Sequence, residues 1–186
     1  MRTWLKVMDP TSLTARETLQ RTLGYGDRIE DIQRSTVWSF RWEETVDAPA
    51  LLARLVADTN LIRNPNKHHV EIVTGDRALT PRGNVWVLVH SGREGSELED
   101  ALSRHRLVPG TVPAVRRGTL WELQLAAGED RTATAEEIAV TRAHKRGLLA
   151  NPHVDTVHVL AEPPGAGDLA RLLAEEATED TRIGLG

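Results

Sequence analysis

Histidine is the residue type of this chain best suited to metal binding or acid–base chemistry, because the 186 residues include no cysteine. His68 and His69 are adjacent, so on a predicted strand they point to opposite faces and cannot both bind one metal ion. His158 lies in a different predicted strand, and only the tertiary structure could bring it near them. We therefore predict histidines at the surface of strands and no metal site.

No catalytic motif of specific spacing is present. The sequence has no phosphate-binding P-loop, no glycine-rich dinucleotide fingerprint, no GxSxG nucleophile and no HExxH metal motif. The two Asn-Pro pairs, Asn64-Pro65 and Asn151-Pro152, stand between a predicted helix and a predicted strand. Proline ends a helix there, and asparagine tolerates the left-handed geometry that follows it. We expect no catalytic residue and no cofactor.

Composition limits the class of partner. Hydrophobic residues make up 40% of the chain and charged residues 27%, which is ordinary for a globular protein. The net charge of −4 gives no basic surface of the kind that nucleic acids attract. The N-terminal stretch has no signal-peptide core, and no run approaches the ~20 apolar residues of a membrane span. We predict a cytoplasmic protein without a nucleic-acid or membrane partner.

Three pairs of short segments recur in the same order along the chain. The matches join Trp4 with Trp86, Trp38 with Trp121, and Asn64 with Asn151. Their offsets are 82, 83 and 87 residues, and such similar offsets indicate one duplicated unit with small insertions in the second copy. We predict a first unit at residues 1–73, a linker at 74–84, a second unit at 85–160 and a C-terminal extension at 161–186.

Each unit is predicted to follow the order strand, helix, strand, strand, helix, strand, which is the ferredoxin-like α+β pattern. Gly118 is interpreted as a turn between two strands, with Ser35 in its place in the first unit. Such a unit carries its helices on one face of an antiparallel sheet and leaves the other face apolar and uncovered. We expect the second unit to cover that face, which makes the chain an intramolecular pseudo-dimer. A short helix at 169–177 completes the prediction.

The motifs of both halves resemble the PurS family, the small subunit of phosphoribosylformylglycinamidine synthase. The matching residues are Asp9-Pro10, Leu23-Gly24-Tyr25 and Ile32 to Phe40 in the first half, and Val115, Arg116, Gly118, Glu122-Leu123 and Leu148 to Pro152 in the second. The motif and interface candidates are Asp9, Pro10, Trp38, Arg116, Gly118, Trp121, Asn151 and Pro152. The chain departs from the family because two units are fused and the second half lacks the Asp-Pro pair.

This resemblance implies a non-catalytic subunit that docks a glutaminase onto an ATP-driven synthetase. The departures suggest a divergent paralogue serving a specialised pathway, and fused pairs could associate further. Two alternatives remain open at the level of sequence. Tandem ferredoxin-like units also form α+β barrel enzymes that work without a cofactor, and related folds serve as small-molecule sensing modules.

Overall fold

A computed structural model describes residues 1–42, 46–91, 95–105, 112–141 and 147–175, and its centre is one six-stranded antiparallel sheet. The strands are β1 (Arg2–Leu5), β2 (Ile29–Arg41), β3 (His68–Glu71), β4 (Val85–His90), β5 (Ala114–Leu125) and β6 (Thr156–Leu160). The helices are α1 (Pro10–Glu17), α2 (Ala48–Asp58), α3 (Ser96–Ser103), α4 (Arg131–Ala139) and α5 (Ala166–Leu172). A π-helical turn at Thr18–Thr22 extends α1. No helix among the described residues has both the length and the apolar character needed to cross a bilayer.

The strand order is β3-β1-β2-β5-β4-β6, and each half of the chain supplies three neighbouring strands. In each half the third strand lies at the outer edge, the first lies in the middle and the second lies at the centre of the sheet. The halves meet edge to edge through the long pairing of β2 with β5. Two predictions are therefore wrong. The segments on either side of Ser35 and Gly118 form the single strands β2 and β5, so the described residues do not form two βαββαβ units. The halves also share one sheet instead of packing two sheets face to face.

Alternation along the strands gives the sheet two different faces. The helical face is the one on which α1 to α4 pack, in two clusters with the apolar residues of β2, β4 and β5. The rear face carries α5, whose leucines Leu169 and Leu172 are buried together with Leu173, the residue that caps its C-terminal end. The predicted bare face is thus covered at its centre by the C-terminal helix and not by the second half. Residues 176 and 177 of that predicted helix lie outside the described residues.

The segment at 74–84 packs against the rear face. Leu79 is buried, and its backbone N–H donates to the carbonyl of Pro164 at 3.0 Å. Ala78 forms an isolated bridge with Gly165, just before α5. The Asn84 side chain makes two hydrogen bonds with the backbone of Leu125, donating to its carbonyl at 2.9 Å and accepting from its N–H at 3.0 Å. This connection is therefore tied to α5 and to β5.

Candidate functional site

Where β2 pairs with β5, three cross-strand pairs of side chains on the helical face form a symmetric arrangement. We call these three pairs the central ladder. Its cross-strand pairs are Arg34 with Trp121, Thr36 with Thr119, and Trp38 with Arg117. Each arginine lies over the tryptophan opposite it. The guanidinium carbon is 5.9 Å from the ring centroid for Arg34 and 5.3 Å for Arg117, within the range of a cation–π interaction.

The central ladder has a local two-fold relation. At the sequence offset of 83, Arg34 corresponds to Arg117 and Trp38 to Trp121. Thr36 then stands directly opposite its own counterpart, Thr119, at the point where a two-fold axis would pass. The offset that sequence comparison predicts around the two tryptophans is the offset that makes the ladder symmetric.

The Asn-Pro segments form two matching turns. The Oδ1 of Asn64 accepts from the N–H two residues ahead at 2.9 Å, and the Oδ1 of Asn151 does the same at 3.0 Å. Each asparagine carbonyl accepts from the N–H groups three and four residues ahead. Each asparagine N–H also donates to the side chain four residues ahead, which is His68 in one turn and Asp155 in the other. Both are Asx turns that lead into an outer strand of the sheet.

The predicted match between the first tryptophans of the two halves is wrong by four residues. Arg2 pairs with Val37 in the first half, and Leu88 pairs with Leu120 in the second. Leu120 is the counterpart of Val37 at the offset of 83, so Leu88 is the counterpart of Arg2 and the first strands are related at an offset of 86.

An opening between β1 and β2 forms the notch, a cleft of about 480 Å³. On one side, β1 pairs with β2 only through Arg2 and Thr3. On its other side the pairing with β3 continues further, because the N–H of Lys6 donates to the carbonyl of Lys67, the residue just before β3. β1 and β2 therefore diverge. The side chains around the notch include Trp4, Asp9, Arg16, Asp31, Gln33, Arg34 and Arg82.

The charged groups of the notch form ion pairs with one another. Arg34 donates to Asp9 through Nε at 2.7 Å and through Nη2 at 3.3 Å, while Arg16 donates to Asp31 at 3.1 Å. The Asp9 carboxylate also accepts from the N–H of Thr11 at 3.0 Å and so caps α1. The predicted Asp-Pro motif is thus a helix start that also anchors an arginine of the central ladder.

A buried ionic network lies behind the notch on the rear face. Arg2 is 1% exposed and donates to Glu122 at 2.8 Å, to Glu71 at 2.6 Å and to the carbonyl of Thr80 at 2.9 Å. Burial raises the pKa of Glu122, although Arg2 and Arg82 oppose that rise. Burial also acts to raise the pKa of Glu71, but hydrogen bonds from Thr80 and the charge of Arg2 leave it lowered. The network joins β1, β3 and β5.

A second cleft, also about 480 Å³, lies at the other end of the central ladder. It contains Arg117 and Trp38 and is bordered by the start of α3. Its position corresponds to that of the notch, but its chemistry differs. Gly95 and not an aspartate precedes α3, so no side chain caps that helix.

The predicted motif residues do not converge on one site. Trp38, Trp121 and Gly118 lie in the β2–β5 region, while Asp9 with Pro10 and Asn151 with Pro152 lie at separate turns. Arg116 is exposed, with its Nη1 3.6 Å from Glu99. Gly118 is buried beneath α5, where an added Cβ would lie 2.7 Å from Leu173 Cδ2.

Sequence reasoning missed the buried network and a histidine pair. Arg2 and Glu122 are 120 positions apart. Glu122 stands between apolar residues of β5, whereas Arg2 is only the first residue of β1 and gave no signal in the sequence. His90 and His158 meet on the rear face, with 3.3 Å between their Nε2 atoms. Within the described part of the chain, no group of three or more histidine, aspartate or glutamate residues is arranged to hold a metal ion.

No family model matches this chain, and comparison with curated proteins and with solved structures likewise finds no match.

Proposed function

We propose that the chain is a fused tandem pair of PurS-like units and acts as a non-catalytic accessory subunit of a formylglycinamidine ribonucleotide synthase. In this role it docks the glutaminase that releases ammonia onto the synthetase that consumes it. The sequence motifs in both halves carry the family assignment. The role would place the chain in the cytoplasm, in general purine synthesis or as a divergent paralogue in a specialised pathway.

The central ladder is the observation that best supports a duplicated unit. Arg34 over Trp121 and Arg117 over Trp38 are reciprocal contacts, and a reciprocal interface is what two copies of one unit make around a two-fold axis. The turns at Asn64 and Asn151 support the same proposal independently, because their hydrogen bonds correspond one by one.

A docking role fits the rigidity of the sheet and the internal pairing of its charges. The long β2–β5 pairing ties the two halves into one body, so that partners bound to opposite halves would be held at a fixed separation. The arginines of the notch already have protein carboxylates as partners, with Asp9 on Arg34 and Asp31 on Arg16. Both ion pairs join α1 or its capping residue to β2, and so help to hold that helix on the sheet.

Fusion explains how one small chain would serve two different enzymes. In a symmetric homodimer the two surfaces around the axis are identical, whereas the halves of a fused chain can diverge separately. The two clefts beside the central ladder show such divergence. Asp9 fills the position next to Arg34, while the corresponding position beside Arg117 is Gly95. We propose that one half contacts the synthetase and the other the glutaminase.

Reconstitution with the synthetase and glutaminase of the same genome tests this function. We expect the chain to co-elute with both proteins on size exclusion. Omitting it should lower glutamine-dependent amidation of formylglycinamide ribonucleotide but leave ammonia-dependent amidation unchanged, because free ammonia bypasses the docked glutaminase. Equal glutamine-dependent rates with and without the chain would overturn the proposal.

Charge reversal at the second cleft makes the test more specific. Arg117→Glu alters the exposed arginine of the central ladder and should weaken co-elution, while Arg21→Glu changes an exposed arginine in the π-helical turn after α1. We expect Arg21→Glu to co-elute like the parent chain. Equal loss in both variants would point to a general charge effect instead of a docking surface.

The notch favours a second candidate function, the binding of a small molecule. Its volume of about 480 Å³ is within the range of ligand pockets, and the Trp4 ring lines it. A rise in melting temperature of the isolated chain with ATP, glutamine or formylglycinamide ribonucleotide would support this candidate. The barrel-enzyme alternative has less support, because the halves meet through a hydrogen-bonded ladder and not around a pocket.

A further inference from the structure

Helix α5 covers the apolar centre of the rear face. Its buried leucines pack in one cluster with residues of the central strands, namely Val37, Leu88 and Leu120. Leu173 reaches the backbone of β5 at Gly118, where the absence of a Cβ permits the close approach. Releasing α5 would therefore expose a continuous apolar surface on both halves of the sheet.

The side chains of two histidines contact each other near the C-terminal end of this helix. The Nε2 atoms of His90 and His158 are 3.3 Å apart, with the ring centroids 5.4 Å apart and the ring planes within 10°. His90 is 2% exposed. One ring must donate and the other accept for this hydrogen bond to form, so two protonated imidazoles cannot keep it.

Charged groups from α5, from the residues just after it and from the turn before β6 face this pair. Glu175 Oε2 lies 3.8 Å from His158 Nε2, and its Oε1 accepts from Arg171 at 2.8 Å. Glu175 and Asp155 favour a charged His90, while Glu175 favours and Arg171 opposes a charged His158. The backbone of Leu172 likewise favours a charged His90, although burial outweighs these contributions. Docking of α5 and the state of the histidines are therefore coupled by contact.

We propose that α5 is a proton-sensitive cover, docked on the rear face while the His90–His158 pair is neutral and released when the pair takes up protons. The cover controls access to the apolar centre of the sheet. This inference does not depend on the proposed accessory function, since it concerns only the chain's own helix.

The direction of the response follows from burial. Burial lowers the pKa of His90 and of His158 below the ordinary value for histidine, and the neighbouring charges do not reverse this. A released helix exposes imidazoles with an ordinary pKa near 6.5, so the released state binds more protons. The stability of docking is fully present above about pH 6.5 and is lost as the pH falls through the lowered pKa values.

Hydrogen exchange followed by mass spectrometry tests the cover in the full chain at pH 7.5, 6.5 and 5.5. The exchange rates are first corrected for the intrinsic pH dependence of exchange. As the pH is lowered, we then expect the protection of the amides of Leu169 to Leu173 to fall by up to about tenfold per pH unit for each proton bound. Amides of the β2–β5 pairing should keep their protection. Protection of α5 that is independent of pH would overturn the proposal.

Histidine variants assign the response to the pair. The double variant His90→Gln/His158→Gln removes both titrating groups, and we expect α5 protection that no longer changes with pH. The control His153→Gln alters an exposed histidine near the second Asx turn and should retain the response of the parent chain. An unchanged pH response in the double variant would count against the proposal.

A reciprocal measurement avoids substituting the histidines. NMR titration of the imidazole carbons should give pKa values for His90 and His158 that lie below the ordinary histidine value of about 6.5. Leu173→Ala removes the close contact with Gly118 and leaves both imidazoles in the sequence, and we expect it to raise both pKa values towards about 6.5. If the values stay low in Leu173→Ala, the coupling between helix and histidines is refuted.

Discussion

Arg34 lies over the ring of Trp121, its direct neighbour across the central ladder, with 5.9 Å between the guanidinium carbon and the ring centroid. The same contact recurs between Arg117 and Trp38 on the other side of the Thr36–Thr119 pair. The two contacts differ in what else holds the arginine. Arg34 is also held by Asp9, which caps α1.

This difference predicts unequal effects of removing the two arginines. Arg117→Ala removes a cation–π contact at an exposed position and should lower the free energy of unfolding by about 0.5–1 kcal/mol. Arg34→Ala also removes a partly exposed ion pair and the anchor of a helix cap, so we expect a loss of about 1–2 kcal/mol. Urea unfolding measures both, with Arg21→Ala as an exposed control expected within about 0.5 kcal/mol of the parent. Equal losses for Arg34→Ala and Arg117→Ala would contradict the added role of Asp9.

The two Asx turns should be energetically alike. Asn64→Ala and Asn151→Ala each remove one side-chain acceptor, with an expected loss of about 0.5–1.5 kcal/mol in urea unfolding. Asn66→Ala is the matched control, because its side chain makes no hydrogen bond within the described residues. A large loss for only one of Asn64 and Asn151 would indicate that the two turns are not equivalent.

Sequence comparison paired the Asn64 and Asn151 segments correctly but assigned them the wrong role. Helix α2 ends at Asp58 and α4 at Ala139, so neither Asn-Pro pair ends a helix, and each asparagine instead bonds to the chain just ahead as an Asx turn. The match of first tryptophans failed for a different reason. A strand that slips by four residues keeps every side chain on the same face, so alternating apolar runs align equally well in several registers. Only the hydrogen-bond register shows that Leu88 is the counterpart of Arg2.

The prediction of a turn at Gly118 was wrong for a reason that is particular to glycine. A glycine permits either an unusual backbone angle or a close approach, and sequence alone does not tell these apart. Gly118 is not among the glycines with a positive φ, and it lies within β5 under Leu173. The helix that explains it is far along the chain. The notch was equally hidden, because it arises from the divergence of β1 from β2.

Arg2 should be the most sensitive charged position of the sheet. Arg2→Leu leaves Glu122 and Glu71 without their closest cation, and breaking such a buried pair costs about 3–5 kcal/mol in free energy of unfolding. The pKa of Glu122 is already raised by burial and would rise further in this variant. Ionisation of Glu122 then opposes folding as the pH rises through that pKa, so the deficit should be larger at pH 7 than at pH 4.

Urea unfolding at both pH values checks the Arg2 prediction. Arg116→Leu provides the matched control, since that arginine is exposed and its Nη1 lies 3.6 Å from Glu99. We expect a loss of at most about 1 kcal/mol from it, with little change between the two pH values. A deficit for Arg2→Leu that is equally large at pH 4 and pH 7 would show that lost packing, and not an uncompensated carboxylate, causes it.

Two glycine-to-alanine changes test whether close packing of α5 explains Gly118. At Gly118 the new Cβ would lie 2.7 Å from Leu173 Cδ2 and 3.0 Å from the carbonyl oxygen of Val89, so we expect a loss of about 1–3 kcal/mol. Gly167, within α5, has nothing within 4 Å of an added Cβ, and Gly167→Ala should stabilise by about 0.4–1 kcal/mol. Hydrogen exchange should then show α5 losing protection in Gly118→Ala and gaining it in Gly167→Ala. If Gly118→Ala leaves α5 fully protected from exchange, Leu173 can move aside to accommodate the new Cβ. Close packing against Leu173 would then not explain why position 118 is glycine.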